Sequence, residues 1–282
     1  MFSMLVFSIS FNCNNNKAMV DMNKINVIPK PKSIKLNEHG LSINLLDKII
    51  TTKNSDSEIK IARMVQEFIS PIKSLPLEAS DEIKPNSILI TIDNRKEFPI
   101  EGYSLSISAN NKLEITSSTY AGLFYGYQTF RQLCGEQLEN NSKPTTMVIQ
   151  GVDIVDEPSF KYRGMHLDVS RHFFDIDFIK TYIDMIALHK MNVFHWHLTD
   201  DNGWRIEIDK YPMLAEKSAW RVDRRSDPWK EQSPAKKDEK ATYGGYYTKE
   251  EIREVVEYAR SKNIMIIPEI EMPGHTSYSL KQ

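Results

Sequence analysis

The chain has 282 residues, 40% hydrophobic and 26% charged, which is enough apolar material for a large core or two domains and too much for intrinsic disorder. Its 36 Lys and Arg stand against 38 Asp and Glu, a formal net charge of -2 spread along the chain, so no basic surplus exists for nucleic acid or an anionic membrane surface. Two cysteines, Cys13 and Cys134, are too few for a disulfide framework or a cysteine metal cluster.

Residues 1–11 form an apolar run too short to span a bilayer, followed by polar residues 12–17. The run has the character of a signal-peptide h-region without its basic n-region, and residues 1–20 are assigned to an export signal. Cys13 then stands where a bacterial lipoprotein carries its lipid, although Ser10, Phe11 and Asn12 are a poor version of the small-residue cleavage site. The expectation is an exported protein, periplasmic or held at the outer membrane, with Cys13 as candidate lipid anchor.

Residues 21–155 read as a compact α+β module. Two prolines make residues 26–34 an extended entry. Residues 57–69 place Ile61, Val65, Phe68 and Ile69 at helical spacing, and residues 87–92 are a strand. Tyr103, Leu105 and Ile107 alternate before Asn110-Asn111 turns the chain into Leu113 and Ile115, a hairpin. Residues 119–134 close the module as an aromatic-rich helix, with Cys134 a small buried hydrophobe on its apolar side. No cluster of acid, base or nucleophile appears in this part. The glycosylation pattern Asn140-Asn141-Ser142 is common by chance and carries no weight.

Residues 156–282 change character. Three stretches run from apolar strand into polar turn: 162–173, ending in Arg171 and His172; 192–204, ending in Asp200, Asp201, Asn202 and Gly203; and 264–276, ending in Pro273, Gly274 and His275. Helical patterns at 177–189 and 248–262 separate them, the second opening on a capping box from Thr248 to Glu251. Strand, helix, strand, long loop, helix, strand is the opening of a parallel sheet or (β/α) barrel, a fold that places its chemistry at strand carboxyl ends. The irregular segment 221–245, rich in charge and with Trp229, Tyr243, Tyr246 and Tyr247 in or beside it, is either a rim of that end or a solvated insertion.

Candidate chemistry concentrates at those ends. Arg171 offers a forked donor for adjacent hydroxyls or a carboxylate. Asp200 and His275 are on neighbouring strand ends and can form a hydrogen-bonded carboxylate–imidazole pair. His195 and His197, two apart on one strand, point to one face and have metal-ligand spacing, with Asp200, Asp201, Glu269, Glu271 and His275 as further donors.

Three motifs carry a resemblance: Arg-Gly-Met-His-Leu-Asp-Val-Ser-Arg-His-Phe at 163–173, Lys-Met-Asn-Val-Phe-His-Trp-His-Leu-Thr-Asp-Asp-Asn-Gly-Trp-Arg at 190–205, and Ile-Pro-Glu-Ile-Glu-Met-Pro-Gly-His-Thr at 267–276. Together they resemble the family 20 glycoside hydrolases, the β-N-acetylhexosaminidases, and the resemblance extends over nearly everything after residue 25. It implies an α/β protein in which an N-terminal α+β accessory domain precedes the first three βα units of a TIM (β/α)8 barrel. It also implies retaining hydrolysis of terminal N-acetylglucosamine or N-acetylgalactosamine from glycans, with the substrate's own acetamido oxygen as nucleophile. By motif position Arg171 would grip the C3 and C4 hydroxyls, while Asp200 and His275 would tune the general acid, with no cofactor and no metal. The family's general-acid Glu and the Asp before it follow the fourth barrel strand and are not among these residues. The sequence-level expectation is therefore a truncated, catalytically silent chain. A metal-dependent hydrolase using His195 and His197, or a non-catalytic sugar-binding remnant, are the alternatives.

Overall fold

The computed structural model describes residues 25–276, apart from 53–54, 81, 140–143 and 226–235. The expected export signal, Cys13, the Asn140-Asn141-Ser142 pattern and Trp229 lie outside the described residues.

Alternation builds the first module. In β5 (Tyr103–Ser108) every second side chain is buried, and β6 (Lys112–Ser117) returns antiparallel to it, with the turn residues Asn110 and Asn111 at positive φ of 61° and 57°. Both are asparagines, the non-glycine residue that tolerates this region best. Around this hairpin stand β1 (Ser33–Ser42), β2 (Lys48–Thr51), β3 (Leu77–Ala79), β4 (Ser87–Ile92) and β7 (Val148–Asp156). They form one mixed sheet of seven strands in the order β1-β7-β5-β6-β4-β2-β3. Apart from β4 and the hairpin, these strands escape a periodicity reading because they are short or sit at bulges, as β1 does between Leu36 and Gly40.

Two helices cover the sheet. In α1 (Asp56–Ile69) the N-cap Ser55 accepts from Glu58 N. In α2 (Tyr120–Cys134) the N-cap Thr119 accepts from Gly122 N. A Cβ at Gly122 would come within 2.0 Å of Ser117 Oγ and 2.2 Å of Gly102 O, so only glycine lets α2 lie this close to the sheet. Cys134 is buried at its end, and burial raises its thiol pKa, which leaves it as packing. The short helix α3 (Glu136–Glu139) follows.

The second module opens with β8 (Gly164–Asp168), α4 (Ile176–Leu188) and β9 (Val193–His197). Two small hairpins come next: β10 (Thr199–Asp200) with β11 (Gly203–Trp204), and, across the short helix α5 (Met213–Glu216), β12 (Trp220–Arg221) with β13 (Tyr243–Gly244). The capping box at Thr248 and Glu251 starts α6 (Lys249–Ser261), which leads into β14 (Met265–Glu269). The three longer strands pair in parallel in the order β14-β9-β8. Phe194 and Trp196 face the helices and stack with ring centroids 5.7 Å apart, and Trp196 meets Tyr247 at 4.8 Å.

The modules share one core, since the same buried cluster runs from Leu41 through α2 to Ile264. Arg163, just before β8, is the polar lock between them. It donates from Nη1 to Glu101 Oε2 at 2.9 Å and to Phe160 O at 2.7 Å, from Nη2 to Glu101 Oε1 at 3.1 Å and Tyr125 Oη at 3.0 Å, and from Nε to Lys190 O at 2.8 Å. A second lock is the buried Lys190, which donates to Tyr103 Oη at 2.7 Å and Asp156 Oδ2 at 3.1 Å.

Arg163→Ala would leave Glu101 largely buried beside unpaired acceptors, and the expected loss is about 3 kcal/mol of unfolding free energy by urea titration. Arg163→Lys should recover less than half, because an ammonium cannot reproduce the fork.

Candidate active site

Register creates the site. Asp168, His197 and Glu269 occupy the same level of β8, β9 and β14, and His166 and His195 pair one level below. With a side-chain period of two, all five point to the sheet face opposite Phe194 and Trp196. His197 is the last residue of β9, whereas the sequence had suggested a strand continuing past it. The strand stops because Thr199 and Asp200 turn away to pair with Trp204 and Gly203, with Asp201 and Asn202 at the corner.

Asp200 sits at the centre, its side chain 2% exposed. Its Oδ2 lies 2.7 Å from Arg171 Nη2 and 3.1 Å from His197 Nε2; its Oδ1 accepts from Asp201 N at 2.7 Å and lies 3.4 Å from His275 Nδ1. The structure thus brings Arg171, Asp200 and His275 together. His275 takes a positive φ of 53° in the turn after Pro273, and its ring is about half exposed.

Asp168 was missed as a site residue. Its Oδ1 accepts from the N–H groups of Ser170 and Arg171, each at 3.0 Å, and its Oδ2 from Arg171 Nη1 at 2.7 Å. An Asp three residues before an Arg at a strand end is the available signal, since the Asx turn bends the chain so that the guanidinium folds back. Burial pushes the Asp168 carboxyl up, but the backbone N–H and guanidinium of Arg171 outweigh it and hold the pKa below the ordinary value.

Arg205 was missed as well. It is fully buried, and its guanidinium donates to four carbonyls: Val169 O at 3.0 Å, Ser170 O at 2.7 Å, Gly245 O at 3.0 Å and Ala219 O. Burial, with Arg221 nearby, lowers its pKa to about 10. Gly203 is required beside it, because a Cβ there would lie 2.3 Å from the Arg205 guanidinium carbon. The described ends of the 221–245 segment join this scaffold: Phe173 N donates to Tyr243 Oη at 2.9 Å, and Arg221 Nη2 to Arg171 O at 2.6 Å. These parts of the segment are packed rim rather than solvated insertion.

His195 and His197 do share a face. Glu269 Oε2 lies 2.8 Å from His195 Nε2, 2.8 Å from His197 Nδ1 and 3.4 Å from His166 Nε2. The ligand atoms of His166, His197 and Glu269 fall within 4.8 Å of one another, as do those of Asp200, Asp201 and His275. Two ligands on a tetrahedral zinc with bonds of about 2.0 Å stand about 3.3 Å apart, so the 2.8 Å contacts are closer than two ligands of one zinc, and Glu269 Oε2 is buried among these imidazoles without a hydrogen-bond partner. Burial raises the Glu269 carboxyl, and His197, Glu271 and His195 beside it overcome this and lower its pKa.

A mixed α/β module packs against a parallel β/α module, and guanidinium, carboxylate and imidazole stand at the carboxyl ends of the strands, where β/α folds hold their chemistry. Residues 160–282 match the glycosyl hydrolase family 20 catalytic domain and residues 24–157 match domain 2 of the same family. The chain belongs to glycosyl hydrolase family 20. A beta-hexosaminidase of Porphyromonas gingivalis is 38% identical over 259 residues, covering 91% of this chain and 31% of that protein. The Streptomyces plicatus N-acetyl-beta-hexosaminidase, solved with Thio-NAglucal, superposes with a TM-score of 0.76 at 35% identity, covering 90% of this chain and 47% of that one. The Streptomyces coelicolor β-N-acetylhexosaminidase gives 0.77 at 33% identity, covering 90% and 48%. The chain therefore spans about a third of the length of the first curated relative it matches, at 31%.

Depressed carboxyl pKa values fix the sign of the acid response. Asp168 and Glu269 contribute stability that is present above the unfolded carboxylate range, near pH 4, and is lost as pH falls through their lower folded values. The urea midpoint should hold between about pH 7 and 5 and drop below about pH 4, and Asp168→Asn should flatten that drop.

Proposed function

We propose that this chain is the accessory domain, residues 21–155, and the first three βα units, residues 156–282, of a (β/α)8 β-N-acetylhexosaminidase. It would release terminal N-acetylglucosamine or N-acetylgalactosamine from glycans with retention, the substrate's acetamido oxygen acting as nucleophile. The observation that carries this reading is the convergence of Arg171, Asp200 and His275 on one cluster at the carboxyl ends of three parallel strands.

Three residues of the cluster are assigned supporting roles. Arg171 donates from Nη1 to Asp168 Oδ2 at 2.7 Å and its Nη2 is ion-paired with Asp200 Oδ2 at 2.7 Å, which holds its fork in place, and its side chain remains 32% exposed. Its other N–H groups are available to two vicinal sugar hydroxyls. Asp200 Oδ1 faces the Nδ1 edge of His275 at 3.4 Å, so it orients that ring. His275, so held, is the group assigned to tune the general acid. That acid and the acetamide-orienting Asp belong to a fourth strand outside these 282 residues, so the activity is proposed for the polypeptide that supplies them. We also assign the protein to the export route, with Cys13 as lipid-attachment residue.

On an aryl N-acetyl-β-glucosaminide the 282 residues alone should turn over at background. The polypeptide carrying the fourth-strand acids should be active, with Arg171→Ala lowering kcat/KM by about 100-fold, mainly through KM. Undiminished activity after chelation is expected; loss of activity restored by zinc would favour the metal-hydrolase reading instead.

A further inference from the structure

Arg171 is carried by a stretch without regular structure of its own. Residues 169–175 lie between the last residue of β8 and the first of α4 and are neither strand nor helix. Asp168 and Asp200 hold the guanidinium, each at 2.7 Å, but contacts at the tip of a long side chain do not fix the main chain beneath it. Arg205 donates to the carbonyls of Val169 and Ser170, and Tyr247 Oη donates to Phe174 O at 2.6 Å. The peptide groups between those two anchors are the ones that decide where Arg171 stands.

The β12–β13 pair reaches both of them. Arg221 and Tyr243 are directly opposite one another in that pair. Arg221 Nη2 donates to Arg171 O at 2.6 Å, and Tyr243 Oη accepts from Phe173 N at 2.9 Å, so one cross-strand pair grips the peptide groups on either side of His172. The Arg221 guanidinium carbon is 5.1 Å from the centre of the Tyr243 ring, a contact that couples the two grips. The apolar side of the turn is closed as well. A Cβ at Gly245 would come within 2.5 Å of Phe173 Cε1, and the Phe173 ring lies 5.2 Å from that of Tyr247.

We propose that the Arg221–Tyr243 pair is a positioning element for Arg171: by fixing the main chain at 171–173 it fixes where the guanidinium fork stands, and so sets how sharply the site separates sugars that differ in configuration at C4. The inference rests on the hexosaminidase reading for its substrate consequence, though not for the clamp itself.

The consequence follows from hydroxyl geometry. In a gluco-configured ring the C3 and C4 hydroxyls are both equatorial, whereas a galacto-configured ring turns the C4 hydroxyl axial. A fork held in one place meets one of these arrangements with two good hydrogen bonds and the other with a poorer pair, and a displacement of about 1 Å can cost about 100-fold. A fork on a loose turn follows either arrangement, at the expense of the ordering that the fixed turn had already supplied. Loosening the clamp therefore weakens binding of the favoured epimer and narrows its advantage over the other. Both grips fall on main-chain atoms of the turn, so the pair acts through Arg171.

Two measurements test the proposal separately. In the 282-residue chain, Tyr243→Phe removes the acceptor of the Phe173 amide, whose hydrogen exchange should speed up about fivefold while the amides of β9 and α6 keep their rates. Unchanged exchange at Phe173 would overturn the clamp whatever the enzyme does. In the polypeptide carrying the complete site, Tyr243→Phe and Arg221→Lys should each raise KM about fivefold on the favoured one of the 4-nitrophenyl N-acetyl-β-glucosaminide and galactosaminide pair. The kcat should stay within about twofold and the kcat/KM ratio between the epimers should fall about threefold or more. In an Arg171→Ala background, where no fork remains to be placed, Tyr243→Phe should change neither ratio nor KM. Arg225→Ala, which removes a guanidinium 4.3 Å from the same ring that donates to Asp223, should keep the wild-type ratio. An equal loss on both epimers, an undiminished effect without Arg171, or an equal shift from Arg225→Ala would reduce the pair to packing. An inactive wild-type polypeptide would sink the hexosaminidase reading, and with it the substrate consequence, while the exchange result still decides the clamp.

Discussion

Strand register is the constraint on which this molecule depends. Parallel pairing of β8, β9 and β14 sets Asp168, His197 and Glu269 side by side, and a slip of one residue in any strand would send that side chain to the opposite face, among Phe194 and Trp196. The aromatic face holds the register from one side through burial, and the carboxylate–imidazole contacts hold it from the other. Neither face would specify the alignment as sharply alone. The apolar one is tolerant of exchange among large residues, and the polar one is too costly to form unless every charge meets its partner.

Buried guanidinium groups extend this order beyond the strands. Arg205 satisfies carbonyls from the loop after β8, from Ala219 and from Gly245, and so ties β8 to the ends of the β12–β13 pair. Arg163 does the same between modules, joining Glu101 and Tyr125 of the first to Lys190 of the second. Each is a planar fork surrounded by oxygen atoms, and each sits where irregular backbone would otherwise leave buried acceptors unmet. The accessory module is thus more than a neighbour: its α2 helix and Glu101 form part of the wall against which β8 is positioned.

The cluster around Asp200 follows from this support. A carboxylate with four close contacts and almost no solvent exposure is held in one orientation, and its partners differ in burial, from His197 inside to His275 at the surface. Its orientation is thus fixed by the protein around it rather than by solvent.

Periodicity and caps made much of the frame legible in advance. The hairpin at Asn110-Asn111, the helices capped by Thr119 and Thr248, and the order of strands and helices after residue 160 all follow from local rules that act over a few residues. The strand-end positions of Arg171, Asp200 and His275 were readable for the same reason, since turn-forming residues must follow an apolar strand. What sequence left dark was pairing across distance: that Asp168 holds Arg171, that Glu269 faces two imidazoles of another strand, that Arg205 is a buried hub, and that β1, β2, β3 and β7 complete the first sheet. By itself the sequence determined which residues stand at strand ends and which faces are apolar, because these depend only on the period of the backbone. The tertiary structure alone decided which charges meet, because that depends on register between strands far apart in the chain and on how completely water is excluded between them.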